Sequence, residues 1–374
     1  MRVVVVGGTG FIGRAIVRAL AGSEHLVTVV HRGEHEIDDE PGTVAHLHAA
    51  RKDFASSWHR LPDTDVLVDV AAYTRQDARL VLDAAKSDSD IRFVVLSSMD
   101  VYAVWASFMA DGTGSERTLD ETAPLRESRY LYREWSEGNY EKLDVEEEYL
   151  ARGAIVLRLP MVYGEHDDQR REDFILRRCR AGRKRIPIGA GTLKWSRGYV
   201  GDVAQAARLV VEKGSSAADV FNVCEQESWP MREWAERIQQ ASSCTAELVQ
   251  VSEERLPSDM QLTATFRGDL SFDAGKLRES LGWSETDRVG YPEAARRISG
   301  KLRKGGCSAR QRALPGLRAR GESNRPHRWF FQRSEKPSTL LRLVSPRKDG
   351  ARYPFRPFWR PRLRAHTCSL RGSP

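Results

Sequence analysis

What this chain lacks narrows it first. Nowhere in its 374 residues does an apolar run approach the ~18 residues a membrane span needs, so no membrane association is expected. The N-terminus lacks the charged region, long apolar core and small-residue cleavage site of a secretory signal. Cysteine is sparse: the five residues, at 179, 224, 244, 307 and 368, form no Cys-x-x-Cys pair and no metal-ligand spacing with histidine. They are expected to be free thiols in a reducing compartment, without a metal site, and the expected location is cytoplasmic.

Acidic residues are scarce at one end only. Residues 301–374 hold 20 Lys+Arg against 3 Asp+Glu, whereas residues 1–300 hold 39 against 49. The net charge of +7 is therefore an acidic body carrying a basic tail, and the tail also contains 8 of the 16 prolines. This break places a boundary near Gly300. The tail has no apolar periodicity, and its arginines mix with Trp329, Phe330, Phe331, Tyr353, Phe355, Phe358 and Trp359. Such a mixture suits single-stranded nucleic acid. It equally suits disorder, or the patternless end of a GC-rich gene read through or out of frame.

The most informative stretch is the first. Val3 to Val6 form an uncharged β-branched run suited to a strand buried on both faces. Gly7, Gly8, Gly10 and Gly13 follow, and then Ala15 to Leu20 has apolar residues at helical spacing. Strand, glycine turn and helix form a dinucleotide-binding unit. Gly7 permits the tight turn, Gly10 lets the backbone approach a pyrophosphate, and Gly13 lets helix and strand pack closely. The helix N-terminus supplies free N–H groups for phosphate. The spacing is Gly-x-x-Gly-x-x-Gly, with Thr9, Phe11 and Ile12 inside it. In this form it resembles the extended short-chain dehydrogenase/reductase superfamily.

Two later stretches carry the same resemblance. A strand at 92–96 runs into Ser97-Ser98-Met99-Asp100-Val101-Tyr102, and another at 154–159 into Pro160-Met161-Val162-Tyr163-Gly164. Further strands are expected at 25–30, 43–48 and 65–70, with a helix over 77–86; residues 103–137 read as a long charged connection, a lid or disordered. The expected fold is α/β, a Rossmann doubly wound parallel sheet with a smaller C-terminal substrate domain. Residues 1–165 form the cofactor part with strand contributions from later segments, 166–300 the substrate part, and 301–374 the tail. The second strand ends in His31-Arg32 rather than in an acidic residue, so Arg32 suits a 2′-phosphate and NADP is favoured over NAD.

The resemblance implies the remaining assignments. Ser98, four before Tyr102, would bond the reacting oxygen. Ala71 and Ala72 would pass the cofactor; Pro160 and Val162 would floor the nicotinamide; Met99, Tyr102 and Tyr163 would face substrate. The superfamily pairs a tyrosine base with a lysine four residues on. Here Tyr140 has Asp144 at that spacing, while Lys142 has Gly138 before it. On a regular helix Tyr140 and Lys142 point about 200° apart, and they converge only where the helix starts near residue 140. Trp195 and Arg197 sit near the position of the phosphate-binding arginine of sugar-nucleotide epimerases, so Arg197 would reach a phosphate and Trp195 stack a base. The eight cations in residues 170–185 suit substrate phosphates or RNA, or simply a solvated helix face.

The expected function is thus an NAD(P)-dependent epimerase, dehydratase or reductase acting by hydride transfer on a sugar nucleotide or similar alcohol or ketone, as a homodimer. The alternative, from the displaced dyad and the basic segment, is a catalytically degenerate relative in the manner of the chloroplast stem-loop RNA-binding branch.

Overall fold

The protein is described by a computed structural model over residues 1–34, 44–86, 88, 90–133, 140–214, 217–261 and 268–285. The basic tail and Gly138 lie outside the described residues. The N-terminal half alternates strand and helix: β1 (Arg2–Val6), α1 (Phe11–Ala21), β2 (Leu26–His31), β3 (Val44–His48), a short α2 (Phe54–Ser57), β4 (Val66–Asp69), α3 (Arg75–Ala84), β5 (Arg92–Ser98), α4 (Ala103–Asp111), α5 (Lys142–Leu150) and β6 (Ile155–Leu159). Then follow β7 (Met161–Tyr163), α6 (Asp173–Arg180), β8 (Arg185–Ile188), β9 (Arg197–Tyr199), α7 (Val200–Lys213), β10 (Asp219–Asn222), α8 (Met231–Ala241), β11 (Glu247–Gln250) and α9 (Gly275–Leu281).

The strands assemble a seven-stranded parallel sheet in the order β3-β2-β1-β4-β5-β6-β10. Val3 pairs with Val27 on one side and Val66 on the other, so β1 is central. Its valines are buried because helices cover both faces, which is why the strand reads as a continuous apolar run rather than an alternation. Chain order reverses between β1 and β4, and this opens a crevice at their C-terminal ends. From the C-terminal half, β10 joins this sheet, while β7–β9 and β8–β11 form two small parallel pairs.

Two expectations need correction. Residues 103–111 are helical rather than part of a loop: Ala103 to Asp111 contains no glycine or proline, and α4 ends at Gly112, whose φ of 82° is left-handed. The cysteines are not all free thiols. Cys179 and Cys244 form a disulfide across 65 residues of sequence. Spacing alone could not reveal it, because α6 and α8 bring the two together only by packing side by side, with Phe174 stacked on Trp234. Cys224 is free and buried; Cys307 and Cys368 lie outside the described residues.

Candidate active site

The glycine turn has the steric form the sequence implies. Gly7 has φ 87°, and a Cβ there would lie 2.5 Å from the Ala71 Cβ on the neighbouring loop. A Cβ on Gly13 would meet the Gly7 carbonyl oxygen at 2.4 Å, so α1 lies against the turn as only glycine allows. Gly10 is different: a Cβ there would meet no protein atom within 4 Å. It is the N-cap of α1 and carries no side-chain cap, so the first amides of the helix face an open space. That space, lined by backbone at a helix N-terminus, fits a dinucleotide pyrophosphate. Thr9, Phe11 and Ile12 are half-buried around it.

Across the crevice, the loop after β4 is held from beneath. Asp69 is fully buried; it accepts two bonds of 2.7 Å from the Arg51 guanidinium, one of 2.6 Å from the Tyr149 phenol and one of 3.0 Å from the Ala71 amide. Burial by itself would raise its carboxyl, but Arg51 outweighs that and holds it below the usual range. Thr74 and Asp77 close a reciprocal capping box at the start of α3, fixing the other end of the loop. Ala71 is half-buried on this loop beside Gly7, whereas Ala72 is fully buried and packs into the core. Arg32 is exposed just past β2 and pairs with Glu34 at 3.0 Å.

At the C-terminal end of β5, Ser98 is buried, and its hydroxyl accepts from the Asp100 amide at 3.2 Å. The decisive local feature is where α5 begins. Glu141 is its N-cap, accepting from the Leu143 amide at 3.1 Å, while the Glu141 amide donates to the Tyr73 carbonyl at 2.9 Å. Lys142 is therefore the first helical residue and Tyr140 lies outside the helix. The 200° separation of a continuous helix does not apply, and both side chains turn toward Ser98's end of the sheet.

Lys142 Nζ donates to the Ala72 carbonyl at 2.6 Å and the Leu96 carbonyl at 2.8 Å, and burial pushes its ammonium down to about 8. The Tyr140 phenol donates to Asp100 Oδ2 at 2.9 Å. Burial first, and then the Asp100 charge, push this phenol well above its usual value; Ser98 is near enough to weigh in the opposite direction. The structure thus brings Ser98, Tyr140 and Lys142 to one place.

Of the other expected positions, Pro160, Val162 and Met99 are buried beside the sheet ends. Tyr102 is fully buried, its phenol donating to Asn222 Oδ1 at 2.7 Å beneath the Arg158 guanidinium. The Tyr163 phenol donates to Glu225 at 2.7 Å. Trp195 is buried, and Arg197 is only 2% exposed; its guanidinium donates to the Trp195 and Trp229 carbonyls and lies 4.1 Å over the Trp234 ring. The basic segment is largely paired within the protein: Arg171 with Asp167, Arg177 and Arg178 with Asp259, Arg180 with Asp173, and Arg185 with Glu247.

Sequence reasoning missed Asp100, Arg126, Tyr132 and Glu141. Asp100 was inside the Ser-Ser-x-x-Val-Tyr motif at one of its variable positions. Nothing local marks the other three, whose partners are brought by the fold.

This is the layout of a dinucleotide-dependent Rossmann enzyme. The chain belongs to the NAD dependent epimerase/dehydratase family, whose sequence model matches residues 3–224. It is 25% identical over 308 residues to 2'-dehydrokanamycin reductase of Streptomyces kanamyceticus, covering 78% of this chain and 81% of that protein. Among solved structures, dTDP-glucose 4,6-dehydratase of Bacillus anthracis str. Ames in complex with NAD is similar in fold, with a TM-score of 0.62 and 18% identity, covering 82% of this chain and 97% of that one. UDP-N-acetylglucosamine 4-epimerase of Bacillus cereus gives 0.61 and 17%, covering 84% and 99%. No helix among the described residues is long and apolar enough to cross a membrane.

Proposed function

We propose that this enzyme transfers hydride at a hydroxyl-bearing or carbonyl carbon of a sugar nucleotide or similar alcohol or ketone. The observation that carries this reading is the meeting of Tyr140, Ser98 and Lys142 at the start of α5, despite their irregular spacing in sequence. When bound, the nicotinamide supplies or takes the hydride. Ser98 polarises the substrate oxygen, and Tyr140 exchanges the proton with it. Two of the Lys142 donors hold the Ala72 and Leu96 carbonyls, and the third is left for a ribose hydroxyl. Gly7, Thr9, Gly10, Phe11, Ile12 and Gly13 cradle the pyrophosphate, with Ala71, Ala72, Pro160 and Val162 along the rest of the cofactor.

The names of the similar reductase and of the nucleotide-sugar enzymes support a sugar-like substrate. Met99, Tyr102, Tyr163, Trp195 and Arg197 are the proposed substrate side; all five are buried, so they shape it from within its walls. Arg32, exposed where an acidic residue would bond a ribose hydroxyl, favours NADP over NAD. Family resemblance adds a homodimer, which sedimentation of the full chain checks.

The test is titration of the full chain with NADPH and NADH, followed by turnover on a panel of nucleotide sugars and their keto forms. NADPH is expected to bind tighter, and Arg32→Ala to remove most of that preference. Ser98→Ala is expected to lower kcat about 100-fold or more with little change in cofactor affinity. Unchanged turnover in Ser98→Ala overturns its role, and failure of both cofactors to bind overturns the reading.

A further inference from the structure

Asp100 has no part in the roles just given, yet it sits at their centre. It lies two residues past Ser98, in the turn between β5 and α4, and is 1% exposed. Its Oδ2 accepts from the Tyr140 phenol at 2.9 Å and from the Tyr132 phenol at 3.3 Å. Its Oδ1 is buried and has no hydrogen-bond partner among the described residues. A buried carboxylate left partly unsatisfied is costly.

The neighbouring charges do not satisfy it directly. Arg126 donates through Nε to the Asp100 backbone carbonyl at 2.8 Å, and through its other nitrogens to Glu141 and the Ser128 carbonyl. Lys142 is held by the two carbonyls already named. Among the described residues, two phenols and no cation touch the carboxyl group. Tyr132 is in turn fixed by the Trp105 indole, which donates to its hydroxyl at 2.6 Å.

We propose that Asp100 is the proton acceptor behind Tyr140, so that the phenol relays a proton between the substrate oxygen and the Asp100 carboxylate. This rests on the hydride-transfer reading above. In the oxidative direction the substrate O–H bond breaks as Tyr140 Oη takes that proton, and Tyr140's own proton passes to Asp100 Oδ2. The carbon's hydride passes to the oxidised nicotinamide, and the electron pair left on the substrate oxygen closes the carbonyl. The carboxylate loses its charge as the nicotinamide ring loses its own, so the site stays balanced. Reduction reverses each transfer, and in an oxidation–reduction cycle the proton held on Asp100 is the one returned. Asp100 acts through Tyr140 and does not touch substrate, so it is a positioning residue that also stores a proton.

The electrostatics agree with the geometry. Burial raises the Asp100 carboxyl, and Glu141 adds to the rise; Arg126, the Tyr140 hydrogen bond and Lys142 oppose it. A phenol raised by burial and by a carboxylate is a poor resting tyrosinate. A phenol that gives one proton while receiving another never has to hold the charge.

Asp100→Asn tests this, because an amide oxygen still accepts from Tyr140 but cannot take its proton. The first readout needs no substrate: the infrared carboxylic-acid C=O band of the full chain, bound to cofactor, titrated with pH. A buried-acid band in the wild type that is lost in Asp100→Asn supports the relay; the same spectrum in both overturns it. The second is turnover, where kcat should fall at least ~100-fold and the low-pH limb of the oxidation profile should vanish while cofactor affinity stays within about twofold. Wild-type kcat and pH profile in Asp100→Asn overturn the proposal. If no substrate turns over in the wild type, the hydride reading has failed while the infrared arm still decides whether Asp100 holds a proton. Should Asp100→Asn not fold, Tyr140→Phe replaces it: the Asp100 band must shift on losing one phenol donor, and an unmoved band overturns the relay.

Discussion

Arg126 and Glu141 form a buried ion pair, with Arg126 Nη1 2.9 Å from Glu141 Oε2 and both side chains almost wholly out of solvent. The same carboxylate accepts from the Tyr130 amide at 2.6 Å and caps α5. One side chain therefore sets both the local core and the residue at which the helix starts. Glu141→Ala leaves a buried guanidinium without its counter-charge and removes the cap. It should cost ~3–5 kcal/mol of stability, measured by denaturant unfolding. Because it frees Tyr140 from its place outside the helix, it should also reduce turnover in whatever fraction remains folded.

The glycine turn separates folding from binding. Gly10→Val places its side chain in open space, so its unfolding free energy should stay within about 1 kcal/mol of wild type. Its dinucleotide affinity should fall at least tenfold. Gly13→Ala drives a methyl into the Gly7 carbonyl and should cost ~1–3 kcal/mol of stability. Calorimetric titration and unfolding of the two variants, side by side, check this. Equal binding by Gly10→Val and wild type would remove Gly10 from the cofactor site.

Lys142 gives a signed pH dependence. Its ammonium is depressed from 10.5 to about 8 by burial. Below about 8 both folded and unfolded chains hold the proton, and the folded chain bears the full cost of a buried charge. Between about 8 and 10.5 the unfolded chain binds the proton and the folded chain does not, so this residue's contribution to stability improves as pH rises. The difference in unfolding free energy between wild type and Lys142→Met should therefore move in favour of wild type across that window, by an amount on the order of 3 kcal/mol. Urea melts at several pH values read it directly; a difference that does not change with pH would refute the buried-ammonium assignment.

The Cys179–Cys244 disulfide is open to a thiol count. Among the described cysteines, Cys224 should react in denaturant without reductant, and Cys179 and Cys244 only after reduction. Replacing both with serine should lower stability by up to ~4 kcal/mol, the loop-closure value for a bridge across 65 residues. Reactivity of Cys179 and Cys244 before reduction would return the protein to the reduced state expected from cysteine spacing alone.

The sequence by itself determined the sheet and the glycine turn. Their information is local: β-branched runs, glycines at fixed offsets and a helical apolar stripe act over a few residues, and a steric demand such as that at Gly13 is written in the residue itself. It also determined that Ser98 would stand at the end of β5, because strand and motif are contiguous. The tertiary structure decided the rest. Whether Tyr140 and Lys142 diverge or meet depends on where α5 starts, and that depends on Glu141 being gripped by Arg126, 15 residues away. Arg197, expected at a phosphate, is drawn over the Trp234 ring by packing between β9 and α8. Asp100 gains its meaning only from two phenols delivered 32 and 40 residues later in the chain. Such pairings turn on burial and on side chains brought from far apart, and neither has a period that can be read along the chain.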